Sequence, residues 1–407
     1  MSTTRLVLVC GPHRESTRQL ATRLMTGLPA TAVIHHDLSG LADGVVRRRV
    51  RMGRADTTTT IELAHGCVSC TIREDLLPLL RALSADARVE RIVLHLDPIM
   101  EPEPVCWALA NALVGDVTTT DVADIDAVIA VVDPATWLDD ATGDVPISEC
   151  GLGAVGDGRT LAQIVVGQVE FADAVVLAGV AEPWTAARVN AVLDRLAPGA
   201  PRAALGDVEP LRLLTAIPSH AKRGAVDGPH GALLRGEPPL EADCGVVLTV
   251  FRERRPFHPA RLHDAIDVLL EGVVRTRGRV WVASRPDVAL WLESAGGGLR
   301  VGHAGAWLAA VPEAAWERVP AERRVAAALE WDPRFGDRVQ ELAILSHHAD
   351  PAEIVEALRG ALLTDAELAD ESAWAGYADP FGAWHEEPCG ESPTVDLGVP
   401  SARKDEQ

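Results

Sequence analysis

Two cysteines three positions apart are the residues of this sequence best suited to metal chemistry. Cys67 and Cys70 form a Cys-x-x-Cys pair in a turn between a predicted strand and a predicted helix. Two thiolates at this spacing can bind one soft metal ion, because the short loop brings both sulfurs to one point. The sequence therefore predicts a zinc site. A redox pair, or two buried thiols without a metal, are the alternatives.

Zinc prefers four tetrahedral ligands, so the two cysteines would supply only part of the set. Histidine is another common zinc ligand. One candidate precedes the cysteine pair and three fall at the predicted carboxyl ends of strands: His65, His35, His36 and His95. Because the carboxyl ends of parallel strands meet at one edge of a sheet, these side chains could converge on the metal.

The loop at residues 11–18 follows the first predicted strand, where a nucleotide-binding sheet places its phosphate loop. A working loop has the pattern Gly-x4-Gly-Lys-Ser/Thr, in which backbone N–H groups and the Lys hold phosphates and the hydroxyl holds Mg²⁺. Only Gly11 is present, and Ser16, Thr17 and Arg18 occupy the later positions. Arg14 and Arg18 could still meet an anion, although such charges are also typical of a solvated helix start.

An arginine-rich segment at residues 47–54 is the third candidate site. Its basic residues are Arg47, Arg48, Arg49, Arg51 and Arg54. This density is typical of a patch that contacts RNA phosphates or a partner protein. A solvated strand or loop is the alternative.

Composition limits the classes of partner. Of 407 residues, 38 are Lys or Arg and 59 are Asp or Glu, which gives a formal charge of −21. A surface this acidic repels phosphate backbones, so we expect no DNA binding and no bulk nucleic-acid binding outside a local basic patch. No apolar run is long enough to span a membrane and no signal-peptide pattern is present, so we expect a cytoplasmic protein.

The first half of the chain alternates short apolar strands with helical patterns. The predicted strands span residues 6–10, 31–36, 61–63, 91–96, 127–132 and 174–177, and the predicted helices span 17–28, 72–83, 105–114 and 186–196. This alternation predicts an α/β fold with a parallel sheet and helices on both faces. The loops at the carboxyl ends of the strands would form the working face.

The second half predicts a smaller α+β domain with helices on one face of an antiparallel sheet. Its predicted strands span residues 245–251, 273–283, 306–311 and 339–347, and its predicted helices span 259–270 and 352–363. We divide the chain into a first domain (1–215), a Pro- and Gly-rich linker (216–243), a second domain (244–385) and a flexible acidic tail (386–407).

The segment His-Gly-Cys-Val-Ser-Cys-Thr-Ile-Arg-Glu-Asp-Leu at residues 65–76 resembles a family signature. It is similar to the Gly-Cys-x-Cys-Cys-Thr-Ile/Val/Leu-Arg-x-Asp-Leu motif of CobW-type GTPases, which are P-loop proteins of metal homeostasis. The resemblance extends to residues 163–177, 247–298, 336–342 and 362–368. It implies a P-loop-like sheet followed by a CobW C-terminal-like domain. The sequence also resembles an actinobacterial branch that recruits a ribosome hibernation factor when zinc is limiting.

The chain departs from this family at the nucleotide site. Thr17 and Arg18 replace the Lys and Ser/Thr of the phosphate loop, and Ser69 replaces the middle cysteine of the metal motif. His-Leu-Asp-Pro at 95–98 replaces Glu-Thr-Thr-Gly, and Ala-Gly-Val-Ala at 178–181 replaces the guanine-reading Asn-Lys-x-Asp. Phosphoryl transfer depends on positioned charges and Mg²⁺. We therefore expect a pseudo-GTPase that does not use GTP as a cofactor.

By this resemblance, the chain is a zinc-responsive, non-hydrolysing adaptor. Its expected partners are a ribosome hibernation factor and the small ribosomal subunit, and its expected metal is zinc. One alternative is a GTP-dependent zinc metallochaperone that delivers metal to a client protein, against which the altered nucleotide site argues. Another is a zinc-binding protein without a link to the ribosome.

Overall fold

The computed structural model describes residues 3–63, 65–152, 157–228 and 230–381. The strands of the N-terminal part are β1 (Thr4–Cys10), β2 (Thr31–Asp37), β3 (Val45–Met52), β4 (Ala55–Glu62), β5 (Arg91–His95), β6 (Ala123–Val132), β7 (Ala174–Leu177) and β8 (Arg202–Ala204). They form one mixed sheet in the order β4-β3-β2-β5-β1-β6-β7-β8.

Helices connect these strands. They are α1 (Arg14–Gly27), α2 (Val68–Thr71), α3 (Leu77–Ser84), α4 (Pro102–Asn111), α5 (Trp137–Thr142), α6 (Leu161–Glu170), α7 (Pro183–Leu196) and α8 (Pro210–Ala216). A π-helical turn, Ile72–Leu76, joins α2 to α3. No helix within the described residues is long and apolar enough to cross a membrane.

The central strand β1 shows how the sheet is buried. Leu6 and Leu8 lie in the core on one face, and Val7 and Val9 lie in the core on the other. The first core also contains side chains from α3, α4, α6 and α7, and the second contains side chains from α1 and α8. A parallel sheet requires cover on both faces. The predicted α/β fold with helices on both faces is therefore confirmed.

The hairpin of β3 and β4 departs from the all-parallel sheet that the sequence predicts. β3 pairs antiparallel with both β2 and β4, whereas β2, β5, β1, β6, β7 and β8 are parallel. Within β3 only Val46 is buried, and every residue of β4 is exposed or half-buried. The apolar alternation that would reveal these strands is consequently weak, and the sequence predicted only a strand at 61–63, which overlaps the end of β4.

The second domain is an antiparallel sheet with helices on one face. Its elements are β9 (Val247–Glu253), α9 (Pro259–Asp264), β10 (Val273–Val280), β11 (Val288–Ala295), β12 (Gly298–Ala306), α10 (Ala321–Leu329), β13 (Gln340–Ser346), α11 (Pro351–Ala361) and α12 (Asp365–Ala369). The strand order is β12-β11-β10-β13-β9. Leu342 and Ile344 face the core under α9 and α11, whereas Ala343 and Leu345 face the first domain. The predicted α+β domain is confirmed.

One predicted strand of this domain is wrong, and one hairpin was not predicted. The strand predicted at 306–311 is instead the end of β12 followed by a 3-10 turn, Leu308–Ala310. The sequence also failed to predict the hairpin of β11 and β12. Glycines at its turn and within β12 weaken the strand signal there, because glycine lacks a side chain that could show the alternation.

Ion pairs hold the two domains together. Arg275 and Arg277 of β10 each pair at 2.8 Å with Glu170, the last residue of α6. Burial raises the pKa of Glu170, but the two guanidinium charges outweigh burial and lower it to about 2. A carboxylate held between two arginines makes this contact specific in orientation.

The segment between the domains is packed rather than free. Residues 217–228 and 230–243 form no helix or strand, in keeping with a linker. Nevertheless, Leu233 is buried in the first core, and the N–H of Arg223 donates a 3.1 Å hydrogen bond to Asp173. The division of the chain at 216–243 stays a prediction, and the acidic tail at 386–407 lies outside the described residues.

Candidate functional site

The cysteine pair lies at the start of a helix next to the β3–β4 edge of the sheet. Gly66 precedes it, and a Cβ there would overlap the carbonyl oxygen of Leu41, so glycine is required. The helix begins at Val68, earlier than predicted, so Cys67 is its N-cap and Cys70 lies in its first turn. The Cys70 N–H donates to Cys67 Sγ at 3.1 Å, and the two Sγ atoms are 2.7 Å apart. Both side chains are half-buried.

This pair has the donor chemistry of a zinc site but only part of its ligand set. Two sulfurs bound 2.3 Å from a tetrahedral zinc lie about 3.8 Å apart, so the pair would have to open by about 1.1 Å. Within the residues that the structure describes, no group of three or more His, Cys, Asp or Glu side chains is arranged to hold a metal ion. His65 is exposed beside the pair. The complete set of ligands stays a prediction.

His36 anchors the cysteine helix to the sheet. Its Nε2 lies 2.7 Å from Asp75 Oδ2 in the π-helical turn, and Arg48 Nη1 donates to Asp75 Oδ1 at 2.6 Å. His36 is buried. Sequence reasoning did not single out Asp75, although this residue is the Asp of the Arg-x-Asp-Leu motif. The structure gives His36 and Asp75 a role in positioning the helix that carries both cysteines.

His35 and His95 lie on the other face of the sheet. Neighbouring residues of a strand point to opposite faces, so His35 and His36 cannot share a site. The rings of His35 and His95 stack with centroids 4.2 Å apart, and His35 Nδ1 donates to the His95 carbonyl at 3.0 Å. His95 Nε2 lies 2.8 Å from Thr17 Oγ1. The structure thus brings these two histidines to the loop at 11–18 and not to the cysteines.

Burial keeps this histidine pair uncharged. Burial lowers the pKa of His95 to about 3, and the charges of the neighbouring His35 and Arg14 act in the same direction. Burial also lowers the pKa of His35, in spite of its bond to the His95 carbonyl. Both rings are therefore neutral at pH 7, which permits them to stack.

The loop where phosphate would bind is too short to wrap an anion. α1 begins at Arg14, so only residues 11–13 separate it from β1. The N–H of Thr17 donates to the His13 carbonyl at 3.1 Å, and the Thr17 side chain is fully buried. A Cβ on Gly11 would lie 2.6 Å from the Val131 carbonyl oxygen, so this glycine is explained by packing. Ser16 lies within the helix. The backbone N–H of Thr17 is thus already used within the helix.

Arg14 supplies a fixed positive charge to this region. Its Nη1 lies 2.9 Å from Oδ2 of Asp97, which follows β5. The same atom lies 3.2 Å from Oδ1 of Asp37, the last residue of β2. Asp97 is 1% exposed and also accepts the Leu38 N–H. In P-loop NTPases a strand-end carboxylate holds Mg²⁺. Here the guanidinium already pairs with these carboxylates. Arg18 instead points to solvent and pairs with Glu15 at 2.6 Å.

The arginine segment proves to be strand β3 and its following turn. Alternation divides the arginines between two faces, and several are paired with acids. Arg48 pairs with Asp75, and Arg49 donates two hydrogen bonds to Asp56. The others are Arg47, whose side chain is 65% exposed, Arg51, which donates to Thr22, and Arg54, which is exposed. Pairing leaves less free positive charge than the sequence suggests, and contact with RNA or a partner stays a prediction.

Comparison with known proteins identifies two family models. Residues 30–201 match "CobW/HypB/UreG, nucleotide-binding domain", and residues 246–362 match "Cobalamin synthesis protein cobW C-terminal domain". The first match begins after the loop at 11–18.

Two relatives and one solved structure are similar to this chain. A protein of Mycobacterium tuberculosis named a zinc chaperone is 46% identical over 401 residues, which cover 96% of each chain. Zinc-regulated GTPase metalloprotein activator 1 of Dictyostelium discoideum is 27% identical over 82% of this chain and 72% of its own. The crystal structure of Zn(II)-bound YjiA GTPase from E. coli is 13% identical, covers 89% of this chain and 100% of that chain, and has a TM-score of 0.38.

The architecture of the loop at 11–18 predicts that the chain does not hydrolyse GTP. Thr17 replaces the phosphate-binding Lys, and Asp97, at the strand end where a P-loop protein holds Mg²⁺, is paired with Arg14, so the groups that stabilise phosphoryl transfer are not in place. We expect no Mg²⁺-dependent release of radiolabelled phosphate from GTP. Turnover in the wild type that disappears in an Arg18→Ala control would contradict this prediction, whereas weak anion binding would not.

The buried His95 predicts a pH-dependent stability. An unfolded histidine titrates near 6.5, whereas folded His95 has a pKa of about 3. Below pH 6.5 the unfolded chain therefore binds a proton that the folded chain does not, and the free energy of unfolding falls with pH by up to about 1.4 kcal/mol per pH unit. In His95→Gln this contribution is lost, so the gap in stability between wild type and variant should narrow from pH 7 to pH 4.5. Urea titrations across this range would show it, and parallel curves would contradict it.

Proposed function

Because the chain belongs to the CobW family, with a nucleotide-binding domain of the CobW/HypB/UreG type and a CobW C-terminal domain, we propose that it is a zinc chaperone that works without hydrolysing GTP. The observation that carries this proposal is the half-buried pair of Cys67 and Cys70 at the start of a helix. The names of two relatives refer to zinc, which supports the metal assignment.

An incomplete ligand set suits a protein that passes its metal on. Zinc requires four ligands, and the cysteine pair supplies two of them. The remaining positions can be taken by His65, by water or by the side chains of a client protein. A client ligand can therefore enter before a cysteine leaves, so the zinc ion never has to be released into water. Zinc is in this sense the cargo of the chain.

The fixed charge of Arg14 supports a mechanism that is independent of GTP. In a GTP-dependent chaperone, binding and hydrolysis of the nucleotide would alternate the protein between two states. Here Asp37 and Asp97 pair with a guanidinium that belongs to the chain. Transfer is then driven by the affinity of the client for zinc. We place this exchange in the cytoplasm, where reducing conditions keep cysteines in the thiol form.

Metal binding should depend on the two cysteines. We expect one zinc ion per chain, with an affinity that falls as pH drops toward 6, because thiolates must be deprotonated to bind. Cys67→Ser/Cys70→Ser should lose the zinc. The matched control Cys150→Ser/Cys244→Ser removes two other cysteines that are not buried and should keep it. Elemental analysis measures the zinc content per chain, and competition with a chromogenic chelator measures the zinc affinity. Equal zinc content in the two double variants would exclude this site.

Recruitment of a hibernation factor to the small ribosomal subunit stays a prediction that the sequence resemblance implies. If it holds, zinc-free protein should sediment with small subunits in the presence of the factor, and zinc-loaded protein should not. Cys67→Ser/Cys70→Ser should behave like the zinc-free form, because it cannot be loaded. Equal recovery of all three proteins in the ribosomal pellet would contradict a zinc-controlled adaptor. That result would leave the proposed chaperone role intact.

A further inference from the structure

We infer that Cys67 and Cys70 also form a reversible intrachain disulfide, which excludes zinc from the site. The disulfide is argued from the geometry of the two cysteines alone. Only its effect on the metal rests on the proposed function.

The distance between the two sulfurs is the first observation that supports a disulfide. The two Sγ atoms are 2.7 Å apart. A disulfide has an S–S distance of about 2.05 Å, so the sulfurs need to approach by about 0.7 Å. A zinc ion would instead require them to separate by about 1.1 Å. The loop as folded is therefore nearer to the disulfide geometry than to the zinc geometry.

The surrounding structure confines the change to the first helical turn. Asp75, one turn further along the helix, is held by His36 at 2.7 Å and by Arg48 at 2.6 Å. On the other side, Gly66 is packed against the Leu41 carbonyl. Because both ends of the segment are fixed, the sulfurs stay close to each other, and closing the bond does not require the helix to unfold.

Exposure to solvent distinguishes Cys67 and Cys70 from the buried cysteines. Cys67 and Cys70 are half-buried, so a small oxidant can reach them. Cys10 and Cys106 are buried, and burial raises the pKa of both thiols, which disfavours the reactive thiolate. The oxidant should therefore reach Cys67 and Cys70 in preference to Cys10 and Cys106.

The oxidant is a low-molecular-weight disulfide, RSSR. One thiolate of the pair attacks RSSR, which breaks its S–S bond, forms a mixed disulfide and releases RS⁻. The second thiolate then attacks the protein sulfur of the mixed disulfide and releases the second RS⁻. The two cysteines are oxidised and RSSR is reduced to two thiols, which take up the two cysteine protons. When zinc is bound, the same exchange releases Zn²⁺ in place of the protons.

The test uses the full chain in glutathione buffers of increasing oxidised fraction, with acid quenching and alkylation. For metal-free wild type we expect loss of both thiols in the peptide that contains 67–70 and a mass decrease of two hydrogens, reversed by dithiothreitol. Cys70→Ser should instead carry one glutathione on Cys67. Cys150→Ser/Cys244→Ser should form the disulfide like the wild type. Zinc-loaded wild type should require a more oxidised buffer and should release its zinc as the disulfide forms.

The outcomes separate this inference from the proposed function. If the wild type gains glutathione at both cysteines, or reacts at neither in fully oxidised buffer, the disulfide is overturned even where zinc binds. A wild-type chain that forms the disulfide but takes up no zinc when its cysteines are reduced would uphold the disulfide and contradict the chaperone role. A disulfide that forms while zinc stays bound would overturn the exclusion of zinc.

Discussion

A guanidinium held between two carboxylates is the interaction on which the working face of the sheet depends. Arg14 joins the start of α1 to Asp37 at the end of β2 and to Asp97 beyond β5. A buried carboxylate such as Asp97 is stable only if it is paired and hydrogen-bonded. In a P-loop protein the strand-end carboxylate pairs with Mg²⁺, which binds together with the nucleotide. In this chain the carboxylate of Asp97 pairs with Arg14 instead. The carboxyl ends of the central strands are thereby held in one arrangement without a ligand.

Strand β2 separates the ion pairs of Arg14 from the loop that carries the two cysteines. In β2, His35 points to α1 and stacks on His95, whereas His36 points to the opposite face and binds Asp75 below the cysteine helix. One face therefore carries two neutral, stacked histidine rings, of which His95 is buried, and the other carries a half-buried thiol pair. Asp75 joins the cysteine helix to His36 of β2 and to Arg48 of β3. This arrangement is consistent with the proposed response of the cysteine loop to zinc or oxidant.

Sequence reasoning identified the parts of the fold that have a strong apolar pattern. Buried strands such as β1 were predicted within a few residues, whereas β3 and β4, which expose most side chains, have no such pattern. For the site, spacing identified the cysteine pair, but the histidines could not be assigned to faces. The face of the sheet on which each histidine lies depends on strand register. A shift of one residue would move His35 to the face of His36 and His36 to the face of His35. The roles of Arg14 and Asp75 depend on long-range ion pairs that local sequence does not encode.

The position of the cysteine sulfurs links the proposed metal chemistry of this loop to its proposed redox chemistry. Their separation of 2.7 Å lies between those of a disulfide and of a tetrahedral zinc site. Neither state matches the loop as folded, so neither is fully preorganised. A ligand shifts such an equilibrium only by its differential affinity for the two states. The movements that the two proposed states require are small and lie within one turn, between Gly66, packed against Leu41, and Asp75, held by His36 and Arg48.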